Sequence, residues 1–358
     1  MAKFKKIGIL SSGGDAPGMN AAIRAAARKA MDEGIEVVGI NEGYNGLIKG
    51  LLTPLGTHEV SNIITHGGTI LYSSRCPEFK TEEGMAKAVQ TCKENHIDAI
   101  VALGGDGTFR GATDLTNNGI PSIGIPCTID NDITATEYTI GFDTAMNTVL
   151  GLVDSLRETC ESHARCNVVE VMGRDCGMIA LYAGISAGAM AIAIPEVPFD
   201  DEFAIMKLKR ARENGKRGLV CVFSEGMSKK YGDRFSETFV EKLKANSDID
   251  TRFARLGHVV RGGSPTLRDR LTATQMGANA VSCLLEGKSN VVMCVRQGKI
   301  ASVDINYALV LDRMYKGQLH DGDLDRFSPD AIAEMKSICA YRQAKLERLY
   351  RMSYEICD

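Results

Sequence analysis

Residues 98–108 read DAIVALGGDGT: an apolar run, Asp98–Leu103, opens directly onto the glycine turn Gly104-Gly105-Asp106-Gly107-Thr108. Residues 6–18, KIGILSSGGDAPG, follow the same plan, with Lys6–Leu10 running into Ser11-Ser12-Gly13-Gly14-Asp15 ahead of an alanine-rich helical stretch, Ala21–Met31. A strand that is apolar throughout is buried on both faces, as in a parallel sheet covered by helices. Working outward, Ile35–Ile40, Pro121–Pro126, Asn167–Val171, Met190–Ile194, Gly218–Phe223, Arg255–Val260 and Val291–Val295 predict further strands. The helix after Gly105 should run to about Asn117 and close at Asn118-Gly119. Strands alternating with helices predict an α/β, doubly wound architecture.

The chain has 358 residues, which suggests two or three domains. Forty-two Lys and Arg against 45 Asp and Glu leave a formal net charge of −3. That balance argues against a nucleic-acid or anionic-membrane partner, either of which favours a basic excess. No stretch approaches a membrane span, and the apolar run near the N-terminus is too short for a signal core. Eleven cysteines without a C-x-x-C pair, an odd number extending to Cys357, do not form a secreted disulfide pattern and suit a reduced, cytoplasmic protein. After about residue 318 the chain turns polar, GQLHDGDLDRF, and then Ser328 and Pro329 supply the N-cap and first position of a long helix. Its apolar residues Ile332, Met335, Cys339, Leu346 and Leu349 follow helical spacing, but Arg342 interrupts the stripe. A docking helix, an oligomer contact and a loosely attached tail all remain open.

Two glycine turns sit where α/β proteins bind phosphate, after a strand and before a helix. There the backbone N–H groups and the helix N-terminus attract anions, and glycine lets the backbone approach closely. Neither turn fits G-x-x-x-x-G-K-[ST] or G-x-G-x-x-G; Gly287-Lys288-Ser289 is a decoy, since Ser282 takes its first glycine position and a strand follows. Asp106 is placed to meet a phosphate-bound Mg²⁺. Next comes Pro126-Cys127-Thr128-Ile129-Asp130-Asn131-Asp132 at a strand end, with two carboxylates two residues apart. One of them, Asp130, is the candidate to accept a hydroxyl proton, although Asp and Asn in such a segment also simply cap turns. Arg75, Arg165, Arg174, Arg252 and Arg261 lie near predicted strand ends or glycine turns, and planar guanidinium groups suit phosphate.

SSGGDAPGMNAAIR, GGDGT, TIDND, EVMGR and GHVVRGGSP, in this order over roughly residues 3–318, resemble the bacterial-type 6-phosphofructokinase family. The resemblance implies two Rossmann-like α/β domains that exchange chain segments, with the active site in the cleft. The expected bounds are 1–140 plus 253–305 for the nucleotide, 141–252 plus 306–319 for the sugar phosphate, and 320–358 as a helical extension. It implies Mg-ATP-dependent phosphorylation of the 1-hydroxyl of fructose 6-phosphate, a glycolytic step. By the same resemblance Gly14, Arg75, Cys76, Gly105, Asp106, Gly107 and Thr108 lie at ATP, with Asp106 toward Mg²⁺. Asp130 would be the general base, with Thr128 beside it, and Arg174 would stabilise the transferred phosphoryl group. Thr128, Ile129, Asp130, Met172, Gly173, Arg174, Glu225, His258, Val259, Val260 and Arg261 match sugar-phosphate positions. Arg165 and Arg252 match the two arginines that reach into a neighbouring subunit's site in a homotetramer.

Donor choice turns on two positions. Pyrophosphate-using relatives typically carry Asp where Gly107 stands and Lys where Cys127 stands. Gly107 leaves room for a nucleotide α-phosphate, so ATP is expected, with pyrophosphate-dependent transfer as the alternative. Arg24, Arg28, Arg157 and Lys216 match the family's effector site at a subunit interface. Met190 stands where that site has its glutamate and Asn214 replaces a lysine, so the response to an effector should differ.

Overall fold

The computed structural model describes residues 4–356. It divides into two compact units, each made of separated stretches of chain. The first comprises Met1–Ile129, Ile133–Thr144 and Arg261–Cys339; the second comprises Asp130–Asp132, Ala145–Val260 and Ala340–Asp358.

In the first unit, strands β1 (Lys6–Ser11), β2 (Glu36–Ile40), β3 (Leu52–Pro54), β4 (Ala99–Gly104) and β5 (Ser122–Pro126) begin one sheet. The second unit contributes β6 (Cys166–Val171), β7 (Ala191–Ala193), β8 (Leu219–Ser224) and β9 (Thr251–Arg255). The chain then returns to the first sheet with β10 (Val291–Arg296) and β11 (Lys299–Asp304). The seven-stranded order is β11-β10-β5-β4-β1-β2-β3, and the four-stranded order is β7-β8-β6-β9. The smaller sheet is wholly parallel, whereas the larger has an antiparallel strand at each edge, β3 and β11. Neither edge strand is evident from sequence: β11 follows a tight Gln297-Gly298 turn with both residues at positive φ, and β3 has only three residues.

The apolar runs become strands because both faces are covered: every residue of β4, β5, β6 and β8 is buried. The helix Met19–Asp32 packs beside Leu267–Leu285 through small residues, and a Cβ at Gly277 would lie only 2.5 Å from the Ala22 carbonyl oxygen. The smaller sheet is backed by Phe199, Phe223, Phe235 and Phe239, with ring centroids 5.0–5.9 Å apart. The expected strand Arg255–Val260 is corrected. The strand is β9, ending at Arg255, because Gly257 (φ 55°) turns the chain into a 3-10 segment, Gly257–Arg261.

The C-terminal helix runs Pro329–Ile356, with the Ser328 hydroxyl accepting from the Ala331 N–H at 3.2 Å. It is not a loose tail. Met335 is buried in the larger unit's core, and Leu346, Tyr350 and Ser353 are buried within the smaller unit. Among the described residues no helix is long and apolar enough to cross a membrane, and no disulfide joins any two of the ten described cysteines. Cys357 lies outside the described residues.

Candidate active site

In the larger sheet the direction of strand succession reverses between β1 and β4, the kind of position where open α/β sheets bind ligands beyond their strand ends. Both glycine turns leave from this place, since Ser11 of β1 pairs with Leu103 of β4. The turns are tied together: the Ser12 N–H donates to the Leu103 carbonyl at 2.9 Å, and Thr108 Oγ1 donates to the Ser12 carbonyl at 3.1 Å. Gly104 is required there, because a Cβ would fall 2.4 Å from the Ser12 oxygen and φ is 157°. The Tyr44 hydroxyl fixes the Thr108 carbonyl from below at 2.6 Å.

The helix Asp106–Asn117 opens at Gly105 with no side-chain cap. Nothing lies within 4 Å of where a Cβ would stand on Gly105 or Gly107. A helix N-terminus flanked by two open glycines is a cradle for phosphate. Asp106 stands at its mouth, with Lys316 Nζ 3.6 Å from its carboxylate. Among the described residues no group of three or more His, Cys, Asp or Glu forms a metal cage. A single carboxylate at a phosphate cradle does fit Mg²⁺, which keeps waters and binds through one or two carboxylates plus phosphate oxygens.

Arg261 lies against the first turn. Its Nη1 donates to the Asp15 carbonyl at 3.2 Å, and a Cβ at Gly14 would meet the same nitrogen at 2.9 Å. The segment carrying Arg75 and Cys76 is attached to this turn by Ser73 Oγ, which donates to the Gly13 carbonyl at 2.9 Å. Arg75 is exposed and Cys76 half-buried. From β5, next to β4, the chain passes through buried Cys127, whose thiol burial pushes well above its usual range, to Thr128 and buried Ile129. The Thr128 carbonyl accepts from Thr139 Oγ1 at 2.7 Å. Three neighbouring strands thus deliver the first glycine turn, the second, and the start of TIDND.

Within the smaller unit, β6 and β8 pair up to Val171 and Ser224, so Met172-Gly173-Arg174 and Glu225 emerge side by side. Glu225 Oε1 accepts from the N–H groups of Gly173 at 3.1 Å and Arg174 at 2.8 Å. Those bonds hold Arg174 in the left-handed region (φ 54°), leaving its side chain 69% exposed. Asp132 lies 3.9 Å from Arg174 Nη1, and Asp130 is only 2% exposed. Met172, Glu225 and Gly257 line a recess of about 390 Å³ together with Glu170 and Arg255, the latter two paired at 2.6 Å. His258 and Val259 are exposed and Val260 is buried.

Arg165 and Arg252 sit at the other end of this sheet. Arg165 precedes β6, and Arg252 lies beside Asn167 near the start of β9. Both arginines reach Asp250, at 2.6 and 3.2 Å, and Arg165, then Arg252, holds that carboxyl below its usual range. A six-residue strand is ~20 Å long, so β6 separates these arginines from Met172–Arg174 of the same chain.

Of the matched effector positions, Arg24 has a buried Nε with no hydrogen-bond partner among the described residues, and Arg28 lines a surface recess with Thr57. In the smaller unit the Arg157 guanidinium donates to the Ala187 carbonyl, and Lys216 Nζ lies 3.1 Å from the Met190 sulfur. Asp250, Lys316 and the pairing of Asp132 with Arg174 are absent from the residue-by-residue expectations. The two-apart carboxylates of TIDND pointed toward Asp132; nothing local points to the other two.

Residues 6–284 match the phosphofructokinase family. The ATP-dependent 6-phosphofructokinase of Clostridioides difficile strain 630 is 49% identical over 319 residues, covering 89% of this chain and 98% of that protein. ATP-dependent 6-phosphofructokinase 1 of Clostridium perfringens is 47% identical over 318 residues, with the same coverage. The phosphofructokinase structure from Saccharomyces cerevisiae superposes with a TM-score of 0.82 at 31% identity, covering 90% of this chain and 47% of the yeast chain. A pyrophosphate-dependent phosphofructokinase from Marinobacter aquaeolei shares the fold, with a TM-score of 0.74 at 21% identity over 84% of this chain and 83% of that one. From its glycine turns to its second sheet, the chain belongs to the phosphofructokinase family.

Proposed function

We infer that this chain is an ATP-dependent 6-phosphofructokinase, transferring the γ-phosphoryl group of ATP to the 1-hydroxyl of fructose 6-phosphate. The observation that carries the reading is the delivery of two open glycine turns and the TIDND segment by three adjacent strands, β1, β4 and β5. We propose that the larger unit takes the nucleotide and the smaller the sugar phosphate. Gly14, Arg75, Cys76, Gly105, Gly107 and Thr108 would face ATP. Asp106 would hold Mg²⁺ with the phosphates; when bound, the ion neutralises charge on the β- and γ-oxygens.

Asp130 would take the proton of the attacking hydroxyl, with Thr128 beside it. Arg174, already projecting into solvent, would stabilise charge on the phosphoryl group in transit. Glu225, Met172, Gly173, Ile129, His258, Val259, Val260 and Arg261 would bind the sugar phosphate. Arg165 and Arg252, a strand's length from Arg174, would serve a neighbouring subunit in a homotetramer. The buried, unpartnered Nε of Arg24 favours an anion at the effector position, with Arg28, Arg157 and Lys216 supporting it. A glycolytic role would put this chemistry in the cytoplasm.

Initial rates with fructose 6-phosphate and Mg²⁺, comparing ATP with pyrophosphate, test the donor. Activity with ATP alone is expected. Activity with pyrophosphate alone would mean that Gly107 does not decide the donor.

A further inference from the structure

The interruption of the C-terminal apolar stripe by Arg342 has a structural counterpart. Leu346, Tyr350 and Ser353 are buried, at spacings that put them on one helix face, and Arg342 continues that face one turn earlier. The docking is specific: the Tyr350 hydroxyl donates to the Ile192 carbonyl of β7 at 3.1 Å and contacts the Tyr354 hydroxyl at 3.0 Å. Lys207 Nζ lies 5.8 Å from the Tyr354 ring centroid, and the Phe203 ring 5.9 Å from it. A face anchored over about two turns delivers its next residue to a fixed place. That place is the TIDND turn, where Arg342 Nη2 donates to the Asn131 carbonyl at 3.5 Å.

Asn131 is an informative partner. It is 1% exposed and sits in the left-handed region (φ 51°), which asparagine adopts more readily than other non-glycine residues. Its carbonyl belongs to the peptide joining it to Asp132, with Asp130 on its other side. Met178 holds the Asn131 side chain, its sulfur 3.5 Å from Nδ2. Arg342 holds the main chain. The same guanidinium is near Cys176: burial raises that thiol, and the Arg342 charge opposes the rise. Arg342 therefore stands by both the Asp130–Asp132 turn and the turn that follows Arg174.

We propose that Arg342 is a positioning residue for phosphoryl transfer, fixing the peptide between Asn131 and Asp132 and through it the placement of Asp130. The brace comes from the C-terminal helix Pro329–Ile356, and Asn131, in the turn it reaches, lies 211 residues earlier in the chain than Arg342. The inference rests on the proposed role of Asp130.

The test is steady-state kinetics with ATP and fructose 6-phosphate on full-length R342M, which keeps the aliphatic stem, on R342Q and R342K, and on D130A alongside. A misplacement of ~1 Å at a reacting group can cost 10²-fold, and a partly loosened turn should cost about tenfold. R342M and R342Q should therefore lose kcat about tenfold while both KM values stay within about threefold and the melting temperature is unchanged. R342K, which restores a charged donor, should recover most of the loss. A kcat within twofold of the parent in R342M and R342Q overturns the proposal. So does an equal loss in all three Arg342 variants accompanied by a lower melting temperature, which is the mark of helix docking alone. If D130A itself keeps near-parental kcat, it is the reading of Asp130 that fails, whatever the Arg342 variants do.

Discussion

At the carboxyl ends of β1 and β4 the chain offers mostly backbone. Gly105 and Gly107 face open space, the helix that follows has no side-chain cap, and Asp106 is the carboxylate at hand. The four-stranded sheet offers side chains instead, with Arg174 and Glu225 at one end of β6 and Arg165 and Arg252 at the other. A backbone cradle reads charge and size and is damaged mainly by added bulk. A guanidinium reads phosphate bidentately and is lost by truncation. One region should therefore fail when atoms are added, the other when atoms are removed.

If Asp130 is the general base proposed above, its loss should be the most severe. Asp130→Ala should lower kcat by ~10²–10⁴-fold, the range for a general base, while fructose 6-phosphate still binds. Near-parental turnover would remove Asp130 from that role. The cradle comes next. Gly107→Asp places a carboxylate against phosphate, and like charges in contact cost several kcal/mol, so kcat/KM for ATP should fall by at least ~100-fold. An unchanged ATP rate would mean that the open space at Gly107 is not where the nucleotide lies. Removing atoms at the far end of β6 should be milder: if Arg252 holds the sugar phosphate as proposed, Arg252→Ala should lose a charge-assisted contact worth ~1.5–3 kcal/mol and raise KM for fructose 6-phosphate about 10- to 100-fold with kcat largely kept.

The smallest effect is expected at Asp250, which holds both arginines. Asp250→Asn should raise the same KM only about two- to fivefold, since an exposed ion pair contributes ~0–1 kcal/mol. Arg165 lowers the Asp250 pKa, so the carboxylate stays ionised to pH values below its ordinary range, and the pair is lost only as pH falls through the lowered value. The difference between parent and variant should thus hold constant from pH 8 to pH 5. A difference that disappears by pH 6 would show that the ion pair does not position the arginines.

The buried strands and their glycine turns were legible because an apolar run leading into glycine is a local signal, which β1, β4, β6 and β8 carry, while β5 is an equally apolar run that ends on Pro126. The strand expected over Arg255–Val260 was misplaced as a whole: β9 is Thr251–Arg255, and the apolar Val259-Val260 that suggested it lies in a 3-10 segment beyond the turn at Gly257. Edge strand β11 was missed because half-buried alternation after Gln297-Gly298 is a weak pattern. Among site residues, those in motifs could be named. Asp250 beside Arg165, Lys316 beside Asp106 and Arg342 at Asn131 are tertiary contacts between distant stretches, with no local trace. The polar interruption of an apolar stripe was visible at Arg342, but its partner was not.

Separation of Arg165 and Arg252 from Arg174 by a full strand is the feature on which the shared-site reading depends, and subunit complementation tests it most directly. Asp130→Ala chains and Arg165→Ala/Arg252→Ala chains, each poorly active at low fructose 6-phosphate, are unfolded together, refolded as mixed oligomers and assayed. If the arginines serve a neighbour, sites formed by an intact Asp130 on one chain and intact arginines on the other should restore a substantial fraction of parental rate. A mixture no more active than the sum of its two parents would place all of these residues in one chain's site and contradict the division drawn from the two ends of β6.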